Sequence, residues 1–124
     1  MGLYNYNVLP VTLCDYLINL YETDVGNHER VDKQSKPTFT QLNLNKYHAN
    51  VVSNLCNYFS ISLDFYKEDV PQAKYLPQVK YLEEFRIKKY KIGGEDRFDE
   101  HVDVVNYQSS RRCLAMLFYL NDVG

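Results

Sequence analysis

His101 and Asp103 are the two residues of this sequence whose types and spacing best suit a chemical site. They lie in an alternating segment, residues 98–105, that we predict to be a β-strand. Side chains two positions apart on a strand point to the same face, about 7 Å apart along it, so one metal ion can contact both. A neutral imidazole and a carboxylate suit a divalent transition metal. The pair alone fits a solvated strand better, because His-x-Asp is expected by chance in roughly one such chain in six.

A longer pattern surrounds this pair. Its members, in order along the chain, are Tyr90, Gly93, Gly94, Phe98, His101, Asp103, Arg112 and the triplet Tyr119-Leu120-Asn121. In order and approximate spacing they resemble the diagnostic segment of the prolyl 4-hydroxylase family of iron(II)- and 2-oxoglutarate-dependent oxygenases. The resemblance covers about a third of the chain.

The resemblance implies an activity, a set of cofactors and roles for four residues. The activity is that of a dioxygenase that hydroxylates a peptidyl proline or a similar side chain, consumes O₂ and releases succinate and CO₂. His101 and Asp103 would be iron(II) ligands, and Tyr90 and Tyr119 would contact the carboxylates of 2-oxoglutarate. Ascorbate is a further candidate cofactor. The ordinary alternative for both tyrosines is packing on a strand with the hydroxyl in solvent.

Loops beside the predicted strands would select the substrate, a protein or a small molecule, because recognition in such enzymes depends on the loops around the barrel mouth. The residues that we assign to this role are Gly93, Gly94, Arg97 and Tyr107. A peptidyl proline, another protein side chain and a free amino acid all remain candidate substrates.

The resemblance also leaves the site short of a ligand. The family places a second histidine and a basic residue that binds 2-oxoglutarate several strands after Tyr-Leu-Asn, whereas this chain reaches Gly124 where a Gly-Gly-x-Thr turn would begin. Because two protein ligands hold iron poorly, we expect the chain by itself to form no succinate above a no-enzyme control when given Fe(II), ascorbate and 2-oxoglutarate. Clear turnover would contradict this expectation. The alternatives are a fragment of a longer enzyme, a split enzyme that a second chain completes, and a natural truncation.

Hydrophobic spacing predicts two helices. The first covers residues 12–22 and begins with a capping box formed by Thr12 and Asp15. The second covers residues 48–69 and is ended by Pro71. The apolar stripe predicted for the second helix consists of Val52, Cys56, Phe59, Leu63, Tyr66 and Val70.

Alternating segments predict the strands of a sheet that these helices support. The strands cover residues 38–44, 85–92, 98–105 and 113–120, and residues 23–37 are predicted to be a loop. A long helix with one apolar face normally lies across a sheet, which gives an α+β fold. The resemblance makes this a single partial oxygenase domain. In it, residues 1–80 provide helical support with one strand, and residues 81–124 begin an antiparallel double-stranded β-helix of the jelly-roll type, incomplete at its C-terminus.

Composition and charge exclude several other classes. The sequence is 45% hydrophobic with 12 Tyr and 6 Phe, so it can bury a core and is not a disordered spacer. A formal charge of −2 without a long basic run argues against nucleic-acid and membrane-surface partners. Lys88, Lys89 and Lys91 are better explained as a solvated strand edge. No leader or bilayer-length apolar run is found, so we predict a cytoplasmic protein.

The other potential ligands have ordinary interpretations. Cys14, Cys56 and Cys113 are odd in number and lie in apolar patterns, which suits reduced core thiols. His28 and His48 have no carboxylate at ligand spacing and are predicted to be surface histidines.

A non-catalytic binding or structural module is the competing interpretation of the whole chain. An unclosed barrel leaves sheet edges that must be paired or covered. Such an edge can bind a complementing chain or a second copy of this one by strand addition.

Overall fold

A computed structural model describes residues 6–31, 38–75, 82–91 and 116–121. The elements in these ranges are α1 (Val11–Thr23), β1 (Glu29–Val31), β2 (Phe39–Asn43), α2 (Leu44–Tyr47), α3 (Ala49–Asp69) and β3 (Arg86–Lys89), with 3₁₀ turns at Val25–Asn27 and Pro71–Tyr75. Helices combined with a small antiparallel sheet confirm the α+β class. Within these ranges the sheet has three strands, and a double-stranded β-helix is not shown. No helix in the described part of the chain is long and apolar enough to cross a membrane.

The first predicted helix is confirmed as α1, but it begins differently. Pro10 has a φ of −60°, and its carbonyl accepts the first hydrogen bonds of the helix at 3.0 and 3.1 Å. Proline suits a helix start because its φ is preset and its missing N–H would have no partner there. No side chain caps α1, so the capping box predicted for Thr12 and Asp15 is wrong. Leu17 and Tyr21, about one turn apart, are the buried residues.

The long predicted helix is confirmed as α3, but its buried face is rotated from the predicted stripe. Phe59 and Leu63 of the predicted stripe are only half-buried, whereas the polar Ser62 is only 5% exposed. Tyr66 and Val70, the last two residues of the stripe, are buried as predicted. Ser62 tolerates burial because its hydroxyl donates to the Tyr58 carbonyl at 2.8 Å. The buried residues are Val51, Leu55, Ser62 and Tyr66, while Val52 and Cys56 are half-buried at the side of that face.

The described sheet has the order β1-β2-β3, and both pairings are antiparallel. Val31 pairs with Phe39, and Leu42 pairs with Ile87. Strand β1 lies in the segment predicted to be a loop, so that prediction is wrong over its three residues. The first two of these are exposed, and a strand without an apolar alternation leaves no periodic signal in a sequence.

The predicted second strand is confirmed over a shorter range as β3, and the predicted fourth strand is wrong over its described part. Residues 116–120 have no strand pairing, although their side chains alternate between half-buried and exposed. Leu120 packs against the core from this segment. The predicted third strand, residues 98–105, lies outside the described residues, as do residues 113–115.

One apolar core joins the helices to one face of the sheet. Its buried members are Leu17, Tyr21, Leu42, Leu44, Val51 and Leu55. Half-buried side chains close its rim, and they include Phe85, Ile87 and Leu120. A second cluster, Tyr66, Val70 and Ala73, lies at the end of α3 and is covered by Tyr6. Five of the six buried members of the first cluster lie on helices, and Leu42 is the member from the sheet.

Asn43 connects β2, α2 and the start of β3. Its side-chain oxygen accepts the amide hydrogen of Lys46 at 3.1 Å, which caps α2, and its side-chain nitrogen donates to Glu84 at 2.9 Å. Asn43 is only 7% exposed, so water cannot easily replace these partners.

Replacing Asn43 with alanine is therefore expected to lower the free energy of unfolding by about 1–3 kcal/mol, measured by urea denaturation. Asn43→Asp keeps the acceptor for Lys46 but places a carboxylate against Glu84. We expect this second variant to be destabilised at pH 7 and to recover part of the loss near pH 4, where carboxyl groups take up protons. An alanine variant within about 0.5 kcal/mol of the wild type would contradict the assignment.

Candidate functional site

Two of the residues predicted to form a site lie in the described structure, Tyr90 and Tyr119. The others lie outside the described residues, and they are His101, Asp103, Gly93, Gly94, Arg97 and Tyr107. Among the described residues, no group of three or more His, Cys, Asp or Glu side chains could hold a metal ion. The structure can therefore be compared with the predicted site only through the two tyrosines and the sheet that carries Tyr90.

Tyr90 follows β3 on the side of the sheet away from the helices. Leu42 and Ile87 turn toward the helices, so alternation directs Phe39, Lys88 and Tyr90 to the opposite side. The Tyr90 and Phe39 ring centroids are 5.3 Å apart at an interplanar angle of 48°. The Lys88 ammonium lies 4.7 Å from the centroid of the Phe39 ring. On this side of the sheet, the half-buried Tyr90 ring and the Lys88 cation therefore both contact the Phe39 ring.

Tyr119 has a different environment. It is 63% exposed, and it forms no hydrogen bond or ring contact with another described residue. Its neighbour Leu120 packs against the core, so Tyr119 is directed away from the core. Among the described residues, no hydrogen bond or ring contact joins Tyr119 to Tyr90.

A groove of about 460 Å³ lies in the helical layer, between the start of α1 and the middle of α3. Leu13 lines it from α1, and Asn54, Tyr58 and Ile61 line it from α3. None of the residues predicted from the sequence to form a site lines this groove.

The predicted surface histidines instead form a polar cluster at the end of α1. His48 Nε2 lies 2.6 Å from Asp24 Oδ2, and the two side chains are 21% and 22% exposed. His28 Nε2 lies 2.7 Å from the carbonyl oxygen of Tyr21, and its ring stacks on the Tyr21 ring at 4.1 Å. His28 and His48 are therefore half-buried at the surface, and each has a specific partner that the sequence interpretation did not give it. Local spacing gave no signal for the pair, because Asp24 and His48 are 24 positions apart.

The partners of the two imidazoles define their protonated nitrogens. A carbonyl oxygen only accepts hydrogen bonds, so His28 must carry a proton on Nε2 to bind Tyr21. The same holds for His48 Nε2, because an ionised Asp24 carboxylate is also only an acceptor. His28 thereby binds one of the last carbonyls of α1, which have no partner inside the helix.

Asp24 ends α1, where the helix dipole disfavours a negative charge. Donors outweigh this effect: the hydrogen bond from His48, followed by that from Asn27, holds the pKa of the Asp24 carboxyl below its ordinary value. Asn27 Nδ2 lies 2.9 and 3.1 Å from the two carboxylate oxygens. The folded state therefore favours ionised Asp24.

A lowered pKa in the folded state gives a definite pH dependence. The stability that Asp24 contributes is complete above the ordinary aspartate pKa of about 3.9 and is lost as the pH falls through the lower folded value. We expect the free energy of unfolding to fall less steeply between pH 5 and pH 2 in Asp24→Asn than in the wild type, as measured by urea denaturation. Asp15→Asn, which removes an exposed carboxylate from the same helix, should keep the wild-type slope. Equal slopes for wild type and Asp24→Asn would contradict the assignment.

Comparisons of the chain with protein-family models, with curated proteins and with solved structures found no match.

Proposed function

We propose that this chain is part of an iron(II)- and 2-oxoglutarate-dependent dioxygenase of the prolyl 4-hydroxylase type. The observation that carries the proposal is the ordered series from Tyr90 through His101 and Asp103 to Tyr119-Leu120-Asn121, which resembles the diagnostic segment of that family. The finer fold that we propose with it is the start of an antiparallel double-stranded β-helix, whose helices support one face of the sheet.

The described structure supports this proposal in two respects. Helices cover one face of the sheet, and Tyr90 lies on the other face, which is the arrangement that a site inside a β-helix requires. Lys88 adds a positive charge to the side that carries Tyr90, and such a charge suits an anionic cosubstrate.

The donor atoms suit the proposed metal. An imidazole nitrogen and a carboxylate oxygen are two of the three donors with which oxygenases of this class hold Fe(II). When bound, the iron and 2-oxoglutarate supply the oxidation of a substrate C–H bond by O₂, with release of succinate and CO₂. The protein side chains have simpler roles: His101 and Asp103 hold the ion, and the Tyr90 and Tyr119 hydroxyls orient a carboxylate by hydrogen bonding.

The proposal is tested by adding Mn²⁺, a paramagnetic substitute for Fe²⁺, to isotope-labelled protein and recording its NMR spectrum. We expect the signals of His101 and Asp103 to broaden first, and we expect 2-oxoglutarate added with a diamagnetic Zn²⁺ control to shift the ring signals of Tyr90. Line broadening detects even fractional occupancy, so weak binding is sufficient. If the first signals to broaden belong to other residues, the metal assignment is wrong.

A non-catalytic module that binds by strand addition is the second candidate function. The observation that favours it is the small antiparallel sheet of the described residues, which has three strands in the order β1-β2-β3. Strand addition extends a sheet of this kind with a strand of another chain, through main-chain hydrogen bonds. Absence of metal-dependent broadening, together with a concentration-dependent increase in molecular mass in sedimentation, would favour this module over the enzyme.

A further inference from the structure

The Asp24–His48 pair joins the ends of two helices that are far apart in sequence. The amide of Asp24 donates to the Leu20 carbonyl at 3.1 Å and thereby ends α1, while the His48 carbonyl accepts the Val51 amide at 3.0 Å at the start of α3. The 2.6 Å contact between the His48 and Asp24 side chains connects these two points directly. We name Asp24, Asn27 and His48 the α1–α3 clamp.

The end of α1 is also attached to the sheet. The Lys89 ammonium lies 3.0 Å from a Glu22 carboxylate oxygen and 6.0 Å from the centroid of the Tyr21 ring. Lys89 is the last residue of β3, and Tyr90 follows it. The last turn of α1 therefore lies between the start of α3 on one side and the end of β3 on the other.

We propose that the α1–α3 clamp is a conformational device that holds the last turn of α1 in place and, through it, the end of β3. When the carboxylate of Asp24 is ionised, it accepts a hydrogen bond from His48, and α1 cannot move away from α3 without breaking this bond. The hydrogen bond from Asn27, in the turn that follows α1, orients the same carboxylate. Protonation of Asp24 or loss of His48 releases that end of α1. The Glu22–Lys89 contact then transmits the release to β3. This inference is independent of the proposed oxygenase activity.

Several other charged and titratable groups lie on the elements that surround the α1–α3 clamp. They are Tyr21 and Glu22 on α1, His28 and Glu29 at β1, Lys46 and Tyr47 on α2, and Lys89 on β3. Only His48 and Asn27 are hydrogen-bonded to the Asp24 side chain among the described residues, and His28 acts on it through space. The clamp should therefore respond to substitutions of Asp24 and His48 far more than to substitutions of these surrounding groups.

Amide hydrogen exchange measured by NMR tests the clamp at both helix ends at once. In His48→Ala and in Asp24→Asn we expect the amides of Asp24 and Val51 to exchange about tenfold faster together, because each variant loses a charge-assisted hydrogen bond. The amides of Lys88 and Lys89 should exchange faster as well. His48→Gln, which keeps a side-chain N–H donor, should restore part of the protection.

Asp15→Asn is the matched control, because it removes a carboxylate from α1 without touching the clamp, and its exchange rates should equal those of the wild type. Circular dichroism establishes that each variant is folded, and His48→Gln tests the clamp if His48→Ala does not fold. The proposal is overturned if the amide of Asp24 becomes less protected while that of Val51 does not change. It is also overturned if His48→Gln exchanges as fast as His48→Ala.

Discussion

Replacing Leu42 with alanine is expected to lower the free energy of unfolding by about 2–5 kcal/mol. Leu42 is 0% exposed and lies in β2, the middle strand of the described sheet, opposite Ile87 on β3. It belongs to the same core cluster as Leu17 of α1 and Leu55 of α3, so both layers of the fold contact it. The substitution removes apolar contacts and leaves a cavity that the two layers cannot close without moving. Urea denaturation followed by circular dichroism measures the change.

Leu117→Ala provides the matched control, because the same atoms are removed from a side chain that is 67% exposed. Its effect on the free energy of unfolding should stay within about 0.5 kcal/mol. If Leu42→Ala and Leu117→Ala lowered the free energy of unfolding by the same amount, Leu42 would not be part of a packed core.

The helices could be predicted because their apolar residues are dense and recur at helical spacing. Both predicted helices agree with α1 and α3 to within about one residue at each end. The exact buried face could not be predicted, since Ser62 occupies a core position that an apolar pattern assigns to a hydrophobic residue. A serine can take that position because its hydroxyl bonds to the carbonyl of Tyr58 within its own helix.

The strands were harder to predict because pairing, and not periodicity, defines them. Strand β1 has two exposed polar residues and exists through its pairing with β2. Residues 116–120 alternate between half-buried and exposed side chains, as a strand does, but they form no strand pairing in the described structure. A two-residue alternation in the sequence indicates which side chains are buried, but it does not indicate whether a neighbouring strand is present.

The polar cluster shows a second limit on prediction from sequence. His48 was interpreted as a surface histidine with no carboxylate at ligand spacing, because its contact with Asp24 depends on how α1 and α3 pack. Tyr90, in contrast, was placed in a strand predicted over residues 85–92, and it directly follows the shorter strand β3. Local patterns thus predicted the positions of residues along elements, whereas contacts between elements required the packed fold.

The largest functional effect is expected at the two proposed metal ligands. His101→Ala and Asp103→Asn should each raise the Mn²⁺ concentration that gives half-maximal line broadening at least about tenfold. Each substitution removes one of only two proposed protein donors, and an amide is a much weaker ligand than a carboxylate for a divalent ion. The measurement is the Mn²⁺ titration by NMR described for the wild type, followed at residues next to the substituted position.

Glu100→Gln separates coordination from charge in this experiment. It removes one negative charge from the predicted strand, as Asp103→Asn does, but alternation directs residue 100 to the opposite face. We expect its half-maximal Mn²⁺ concentration to stay within about twofold of the wild type, because an exposed charge acts weakly through solvent. If Glu100→Gln and Asp103→Asn weaken binding equally, Mn²⁺ is attracted by general negative charge, and the His101–Asp103 pair is not a metal site.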